Sequence, residues 1–249
     1  MTYYFGIYHW RRRLRTLGRA LAMIVVAAVV WRLVESRSVR ALAIVAAIGP
    51  AVNAIDAVER MTTPPPWAFD REKYAALGSS LPYDDAERAL DVGCGTGRSL
   101  VGLAPFVPDG CDLLGIDVFD DRVILGNGPE LARENAMAAG LDADLAVGDA
   151  ARLPVEADTV DVATACRVLH DLPVEDAQAA VRELRRVLGA DGTLGVLELP
   201  VTHDGTSDPV EYWQGLLADG GFDVREVRPV RDEEGALRYV VLIAEPVGS

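Results

Sequence analysis

The stretch Ala89-Leu-Asp-Val-Gly-Cys-Gly-Thr-Gly97, followed by Leu114-Gly-Ile-Asp117, narrows the possible folds more than any other feature of the chain. An apolar run ends in an acid, glycine then falls at every second position, and a second apolar run ends in another aspartate. This pattern predicts a strand, a tight turn, a helix start and a second strand whose tip carries a carboxylate. Without side chains at Gly93, Gly95 and Gly97 the backbone can take positive φ and let a ligand lie against it. Asp117 is then placed to accept hydrogen bonds from a pair of ribose hydroxyls. A nucleoside-bearing ligand accounts for both features.

Glycine spacing separates the nucleoside classes. A dinucleotide fingerprint needs G-x-G-x-x-G, but the position three after Gly95 is Arg98. The arrangement D-V-G-C-G-T-G instead resembles the first motif of the class I S-adenosylmethionine-dependent methyltransferases. Three further segments extend the resemblance: Gly148-Asp149-Ala150, the run from Thr159 to Leu172, and the run from Glu183 to Glu198. Together they cover residues from about 86 to the carboxyl end.

The resemblance implies S-adenosyl-L-methionine as cofactor. It places Asp91 near the methionine amino group and the turn Gly93, Cys94, Gly95, Gly97 under the amino-acid and ribose portion. Asp117 and Val118 are expected at the ribose and adenine, Asp149 and Ala150 at the adenine amino group, and Arg167 just beyond the fourth strand of the domain. The expected fold is α/β, a doubly wound, mostly parallel seven-stranded sheet of Rossmann-like type. An amino-terminal helical hydrophobic segment is expected to precede it. The expected organisation is a hydrophobic hairpin over 1–60, a Pro-rich linker over 61–85 and the methyltransferase domain over 86–249.

The residues support that architecture independently. Strands are predicted near Ala89–Val92, Asp112–Asp117, Ala143–Val147, Val160–Ala165, Thr193–Leu199, Phe222–Val230 and Ala236–Ala244. Helices are predicted from Arg98 and over Pro129–Ala139, Val174–Leu188 and Pro209–Asp219. Such alternation specifies a parallel sheet covered on both faces, with ligands beyond the carboxyl ends of its strands. The last two strands read as an antiparallel hairpin. The link from Val118 to Pro129 is long for its place; it reads either as a wall of the ligand pocket or as a surface loop.

Charge is divided unevenly. Residues 1–60 carry nine arginines against Glu35, Asp56 and Glu59, whereas the rest carries a net charge of −20. A field of that sign repels phosphates, so a nucleic-acid substrate is excluded for the soluble part. Lys73 is the sole lysine. An acidic, lysine-poor surface suits concentrated salt, where screening removes self-repulsion; GC-rich codon usage gives the same composition. Cys94, Cys111 and Cys166 form no C-x-x-C pair, so neither a disulfide framework nor a zinc site is expected, and Cys94 reads as a small filler of the turn.

Near the amino terminus, Ala20–Trp31 and Ala41–Ile55 are free of charge. Both fall short of the ~20 residues that cross a bilayer unaided, although snorkelling by Arg15, Arg19 and Arg32 lengthens the first to Leu14–Val34. Tyr3, Tyr4, Tyr8 and Trp10 beside Arg11–Arg15 match an interfacial belt on a cytoplasmic face. Membrane association through residues 11–57 is expected, with the catalytic domain in the cytoplasm. A re-entrant or in-plane hairpin, or two helices packed on a cytoplasmic protein, are the alternatives, because Arg32, Arg37 and Arg40 lie in or beside the turn. Thr62-Thr-Pro-Pro-Pro-Trp67 marks a boundary. In similar enzymes a leading segment such as that of Trp67, Phe69 and Tyr74 covers the cofactor or lines the acceptor pocket.

Methyl transfer from a sulfonium is an in-line displacement that needs positioning and exclusion of water rather than a metal. Hydroxyl and carbon acceptors need a base; thiols and amines often do not. His170, beside Asp171, is the candidate base, weighed against a histidine that merely caps the loop. The chain lacks the Asn/Asp-Pro-Pro-Tyr sequence of amino-group methylases. Its texture resembles the quinone and sterol C-methyltransferases, which implies a small or lipidic acceptor. A membrane-tethered cofactor-binding module without turnover and an NAD-dependent oxidoreductase are the rival readings; Arg98 disfavours the second.

Overall fold

The computed structural model describes residues 3–63 and 71–248. A two-residue strand β1 (Ile7–Tyr8) precedes two long helices, α1 (Trp10–Leu33) and α2 (Arg37–Thr62), and a short helix α3 (Arg71–Gly78). Then come β2 (Arg88–Val92), α4 (Arg98–Leu103), β3 (Asp112–Asp117), β4 (Ile124–Leu125), α5 (Pro129–Ala138) and β5 (Ala143–Val147). β6 (Val160–Cys166), α6 (Val174–Val187), β7 (Leu188–Glu198), α7 (Pro209–Asp219), β8 (Phe222–Arg231) and β9 (Leu237–Pro246) follow. The proline run Pro64–Pro66, with Trp67 and Phe69, lies outside the described residues. The remainder falls into two compact units, one built on the large sheet and one on α1 and α2 with the 120–127 segment.

Seven strands of the first unit pair in the order β5-β3-β2-β6-β7-β9-β8. The first five run parallel, while β9 is antiparallel to both β7 and β8. From β2 the chain steps outward to β3 and β5, then returns to β6 on the other side of β2. That reversal is the switch point, where a crevice opens beyond the strand ends. Its register sets Asp91 opposite Thr164 and Gly115.

Both faces of the sheet are dry. Successive strand residues point to opposite faces, so Leu90, Val92, Ala163 and Val196 meet α6 and α7, while Ala89, Val162 and Leu197 meet Tyr74 and Leu77 of α3. Helix α6 shows why such helices form here. Ala177, Ala180, Val181, Leu184 and Val187 recur at helical spacing and are buried, with Glu175 and Asp176 in the first turn and Arg185 and Arg186 in the last. At α7, Asp208 accepts from the amides of Val210 and Glu211 at 2.9 and 3.1 Å, and Pro209 opens the helix.

Two boundaries differ from the expectation. Gly189-Ala-Asp-Gly192 reads as a turn that frees the next strand to start at Thr193. Instead β7 begins at Leu188, pairs with Val160, and resumes pairing only at Thr193 opposite Val162. The glycine-rich segment is a bulge within one strand.

The long link after β3 also finds a partner. Its β4 pairs antiparallel with β1, Ile7 opposite Leu125 and Tyr8 opposite Ile124. The His9 amide donates to the Val123 carbonyl at 2.7 Å, and the Trp10 indole donates to the Asp121 carbonyl at 2.8 Å. The insertion is therefore part of the helical unit, as a ribbon at the foot of α1.

In that unit α1 and α2 form an antiparallel hairpin, at ~1.5 Å per residue each longer than the ~30 Å core of a bilayer. Three residues, Val34, Glu35 and Ser36, make the turn, so Arg32, Arg37 and Arg40 lie inside the helices rather than in the connection. Arg40 donates to the Val34 carbonyl at 2.6 Å and lies over the Trp31 ring. At the open end Arg13 donates to the Arg60 carbonyl. Among the described residues Ala20 is the one buried residue of α1 and Ala57 that of α2. Leu21, Val26, Leu42, Val45 and Ile55 are exposed. Pro50 sits within α2, which leaves one carbonyl without its helical donor.

Candidate functional site at the sheet's switch point

Strand β2 ends in the glycine turn, and β3 holds that turn in place. The Ile116 carbonyl accepts from the amides of Gly93 at 2.7 Å and Cys94 at 3.3 Å. Gly93, Gly95 and Gly97 all take left-handed conformations, with φ of 75°, 52° and 82°. Space independently requires glycine at two of them. A Cβ on Gly93 would lie 2.4 Å from a Val168 methyl, and one on Gly97 would lie 2.9 Å from the Ala132 carbonyl. Cys94 is buried, and burial pushes its thiol well up, which suits a filler and not a nucleophile.

Asp117 stands at the tip of β3, half-buried. One carboxylate oxygen accepts from the Gly95 amide at 3.0 Å and the other from the Phe119 amide at 2.6 Å. The acid thus fixes the turn it faces. Val118 beside it is exposed. Beyond β5, Asp149 is exposed and accepts from the Ala151 amide at 2.9 Å, while Ala150 is buried.

Asp91 lies lower, 1 % exposed beneath the turn. It accepts from the hydroxyls of Ser99 and, at 2.8 Å, Thr164. Burial, with the nearby charge of Asp117, pushes its carboxyl up to about 6 against the pull of those two hydroxyls.

Beyond β6, Arg167 takes a left-handed φ of 61°, and its amide donates to the Leu197 carbonyl at 2.7 Å. Its Nε is buried without a hydrogen-bond partner among the described residues. His170 follows in the same loop. Sequence adjacency points to Asp171 as its partner, but the structure supplies a closer one from the next strand. His170 Nδ1 lies 2.6 Å from Oε2 of Glu198, whereas Asp171 stands 3.4 Å from Nε2 and is largely exposed.

Glu198 and Asn135 are buried polar residues beside the site that motif reading missed. Asn135 of α5 donates to the carbonyls of Thr96 at 2.8 Å and Tyr4 at 2.7 Å, and accepts from the Tyr4 amide. One side chain so ties the glycine turn to the backbone of Tyr4. A polar residue on the buried stripe Ala132-Asn135-Ala136 is the available signal. His203, incidental in the sequence, braces Tyr212 and the Leu172 carbonyl.

Residues 89–192 match a methyltransferase-domain family model, and the switch-point geometry lies within that span. This part of the chain is similar to the class I S-adenosylmethionine-dependent methyltransferases. A demethylmenaquinone methyltransferase of Roseiflexus castenholzii is 37% identical over 112 residues, 45% of this chain and 42% of that protein. A sterol 4-C-methyltransferase of Caenorhabditis elegans is 28% identical over 142 residues, 56% of this chain and 39% of the relative. The chain therefore spans less than half the length of either relative. The [4+2]-cyclase SpnF shares the fold at a TM-score of 0.57 and 24% identity, over 72% of this chain and 82% of that one. A single fold carrying a cyclase shows that the reaction must be argued from the site.

The residues of this domain fit S-adenosylmethionine. Side-chain-free turn positions, carboxylates at Asp117 and Asp149, the buried carboxyl of Asp91 and the buried Arg167 Nε would suit the hydroxyl, amino and carboxylate groups that molecule presents.

Proposed function

We propose that this protein transfers a methyl group from S-adenosylmethionine to a small lipophilic acceptor, working from a membrane through its amino-terminal hairpin. The convergence of the Gly93–Gly97 turn, Asp117 and Asp149 at the carboxyl edge of the sheet carries the reading. The cofactor supplies an activated methyl group on a good leaving group. The protein's part is to orient it and to keep water out. Gly95 and Asp117 fix the ribose end, and the buried Asp91 supplies a negative charge for the amino-acid end.

A lipophilic acceptor is supported from two sides. The quinone and sterol methyltransferases that the chain resembles act on such molecules by name. Between the arginines of its two ends the hairpin is apolar and largely exposed, which favours insertion into a bilayer. Arg11, Arg12, Arg13, Arg15, Arg19 and Arg60 crowd its open end against Asp56 and Glu59, while Arg32, Arg37 and Arg40 stand at the turn against Glu35. The basic excess sets the open end, and the catalytic domain joined to it, on the cytoplasmic side. At the turn, the Arg40 contacts with Trp31 and Val34 lower the cost of carrying that charge across.

Calorimetry with S-adenosylmethionine and with NAD, then transfer of labelled methyl groups into a membrane lipid extract, tests the proposal. Binding of the first and label in the extract are expected. Binding of NAD alone, or release of the protein from membranes by salt without detergent, would refute the corresponding half.

A further inference from the structure

We propose that His170 and Glu198 form the proton-accepting pair of this site, and that the acceptor is a hydroxylic molecule of the phenol or enol class. The inference rests on the methyltransferase reading and deepens it.

Glu198 ends β7 and is fully buried on a strand of apolar neighbours. Its Oε1 accepts from the amides of Val168 at 3.0 Å and Leu169 at 2.7 Å, and its Oε2 faces His170 Nδ1 at 2.6 Å. A carboxylate offers only acceptors, so Nδ1 carries the hydrogen and Nε2 presents a lone pair. The two amides already hold the loop to Glu198, so the imidazole is not needed to cap it. Nε2 makes no backbone hydrogen bond among the described residues, and the exposed Asp171 carboxylate 3.4 Å away stands beyond ordinary hydrogen-bond length, so it does not fix a proton on Nε2. Val168 packs on Gly93, which sets this loop directly beside the glycine turn.

Burial alone lowers the affinity of His170 for a proton, but the hydrogen bond and charge of Glu198, aided by Asp171 and opposed by Arg167, raise it above the ordinary imidazole value. A base of that strength selects its acceptor. Amines and thiols attack with little help. A phenol or enol, near pKa ~10, lies within a few units of imidazole and becomes a nucleophile as its proton leaves. An aliphatic hydroxyl, nearer the ~15.7 of water, lies out of reach.

In the step, the acceptor O–H bond breaks and its proton passes to Nε2. The electron pair left on oxygen, or on the ring carbon conjugated with it, takes the methyl group, and the pair of the broken C–S bond stays on sulfur. Where carbon is methylated, the ring hydrogen later leaves as a proton and oxygen regains one. One proton is released per turnover in either case. Glu198 acts as a positioning residue.

The chain has three histidines, so full-length protein in detergent, labelled with ¹⁵N-histidine, resolves His170 by its loss in H170Q. In the wild type its titration lies above the ordinary value and Nδ1 is protonated; in E198Q the midpoint falls. With 1,4-dihydroxynaphthalene as probe, H170Q lowers kcat by about 10²–10⁴-fold, with KM and S-adenosylmethionine affinity within threefold. The acid limb of the E198Q rate profile follows the shifted midpoint. An unmoved His170 titration in E198Q, an H170Q kcat within threefold of wild type, or preferential methylation of thiophenol or aniline overturns the proposal. Should E198Q not fold, H170Q, which leaves the Val168 and Leu169 amides on Glu198, decides alone. Failure of the wild type to bind S-adenosylmethionine overturns the methyltransferase reading instead.

Discussion

Replacing Asp91 with asparagine is expected to stabilise the cofactor-free protein and weaken its grip on the cofactor. The carboxyl is buried, and burial with the charge of Asp117 pushes it up to about 6 from an ordinary 3.8. Two units correspond to about 3 kcal/mol at 1.36 kcal/mol per unit. Folding favours the protonated form, so this contribution is fully present below the unfolded value of 3.8. It is lost as pH rises through about 6. Near pH 8 the folded chain therefore carries about 3 kcal/mol of ionisation cost that asparagine does not.

Exchanging the carboxylate for an amide also alters the bonds from Ser99 and Thr164, but that offset does not depend on pH. The informative quantity is the change in the difference between variant and wild type. Urea unfolding of both in detergent, followed by tryptophan fluorescence from pH 4 to 8, should show the difference growing by about 2.5 kcal/mol in favour of Asp91→Asn, equivalent to about 5–10 °C in Tm for a domain of this size. Calorimetry should show weaker S-adenosylmethionine binding. Parallel stability curves, or unchanged affinity, would refute the reasoning.

Asp117→Ala removes the acceptor proposed for ribose hydroxyls and frees the Gly95 and Phe119 amides; cofactor affinity should fall by about 1–3 kcal/mol, read by calorimetry. Gly93→Ala meets both a left-handed φ and the Val168 methyl at 2.4 Å. Adding Val168→Ala should restore the steric part of the lost stability and leave about 1–2 kcal/mol of conformational strain in thermal melts; no rescue would mean the clash is not the cause. Asn135→Ala strands the Thr96 carbonyl and should cost about 1–3 kcal/mol, with faster hydrogen exchange in the Gly93–Gly97 turn than in β2; uniform exchange across both would count against a specific tie.

The elements that motifs identify are those whose meaning is local. Gly93, Gly95 and Gly97 announce a left-handed turn because only their backbone is at issue, and Asp117 announces itself by ending an apolar strand. Helix α6 is legible because its apolar residues recur at one period. What the sequence hides is set by strand order. Glu198 faces His170 only because β7 pairs beside β6, and no spacing within the chain encodes that neighbour; Asp171, adjacent by sequence, is the natural but looser choice. The insertion is opaque for the same reason. Its two-residue strand has no pattern of its own and becomes one only against Ile7 and Tyr8. The helix bounds of the hairpin are hidden by arginines, since charge at a helix end breaks a hydropathy window without breaking the helix.

Three polar costs of this chain gather at one place. Asp91 is a buried carboxylate, Arg167 combines a left-handed backbone with an unpartnered buried Nε, and Glu198 is a fully buried acid. Elsewhere the sheet has dry faces, and Asp208 caps α7. A cofactor that brings an ammonium, a carboxylate and hydroxyls answers several of these costs together. The cofactor-free protein is then held below the stability its core would allow, and ligand binding raises it by mass action, about 2.7 kcal/mol at a hundredfold excess over Kd. Because Asp91→Asn removes one cost in advance, the stabilisation conferred by a given excess of cofactor over the wild-type Kd should be smaller in that variant. An equal thermal shift in both proteins would separate the buried acid from cofactor binding and return it to a purely structural role.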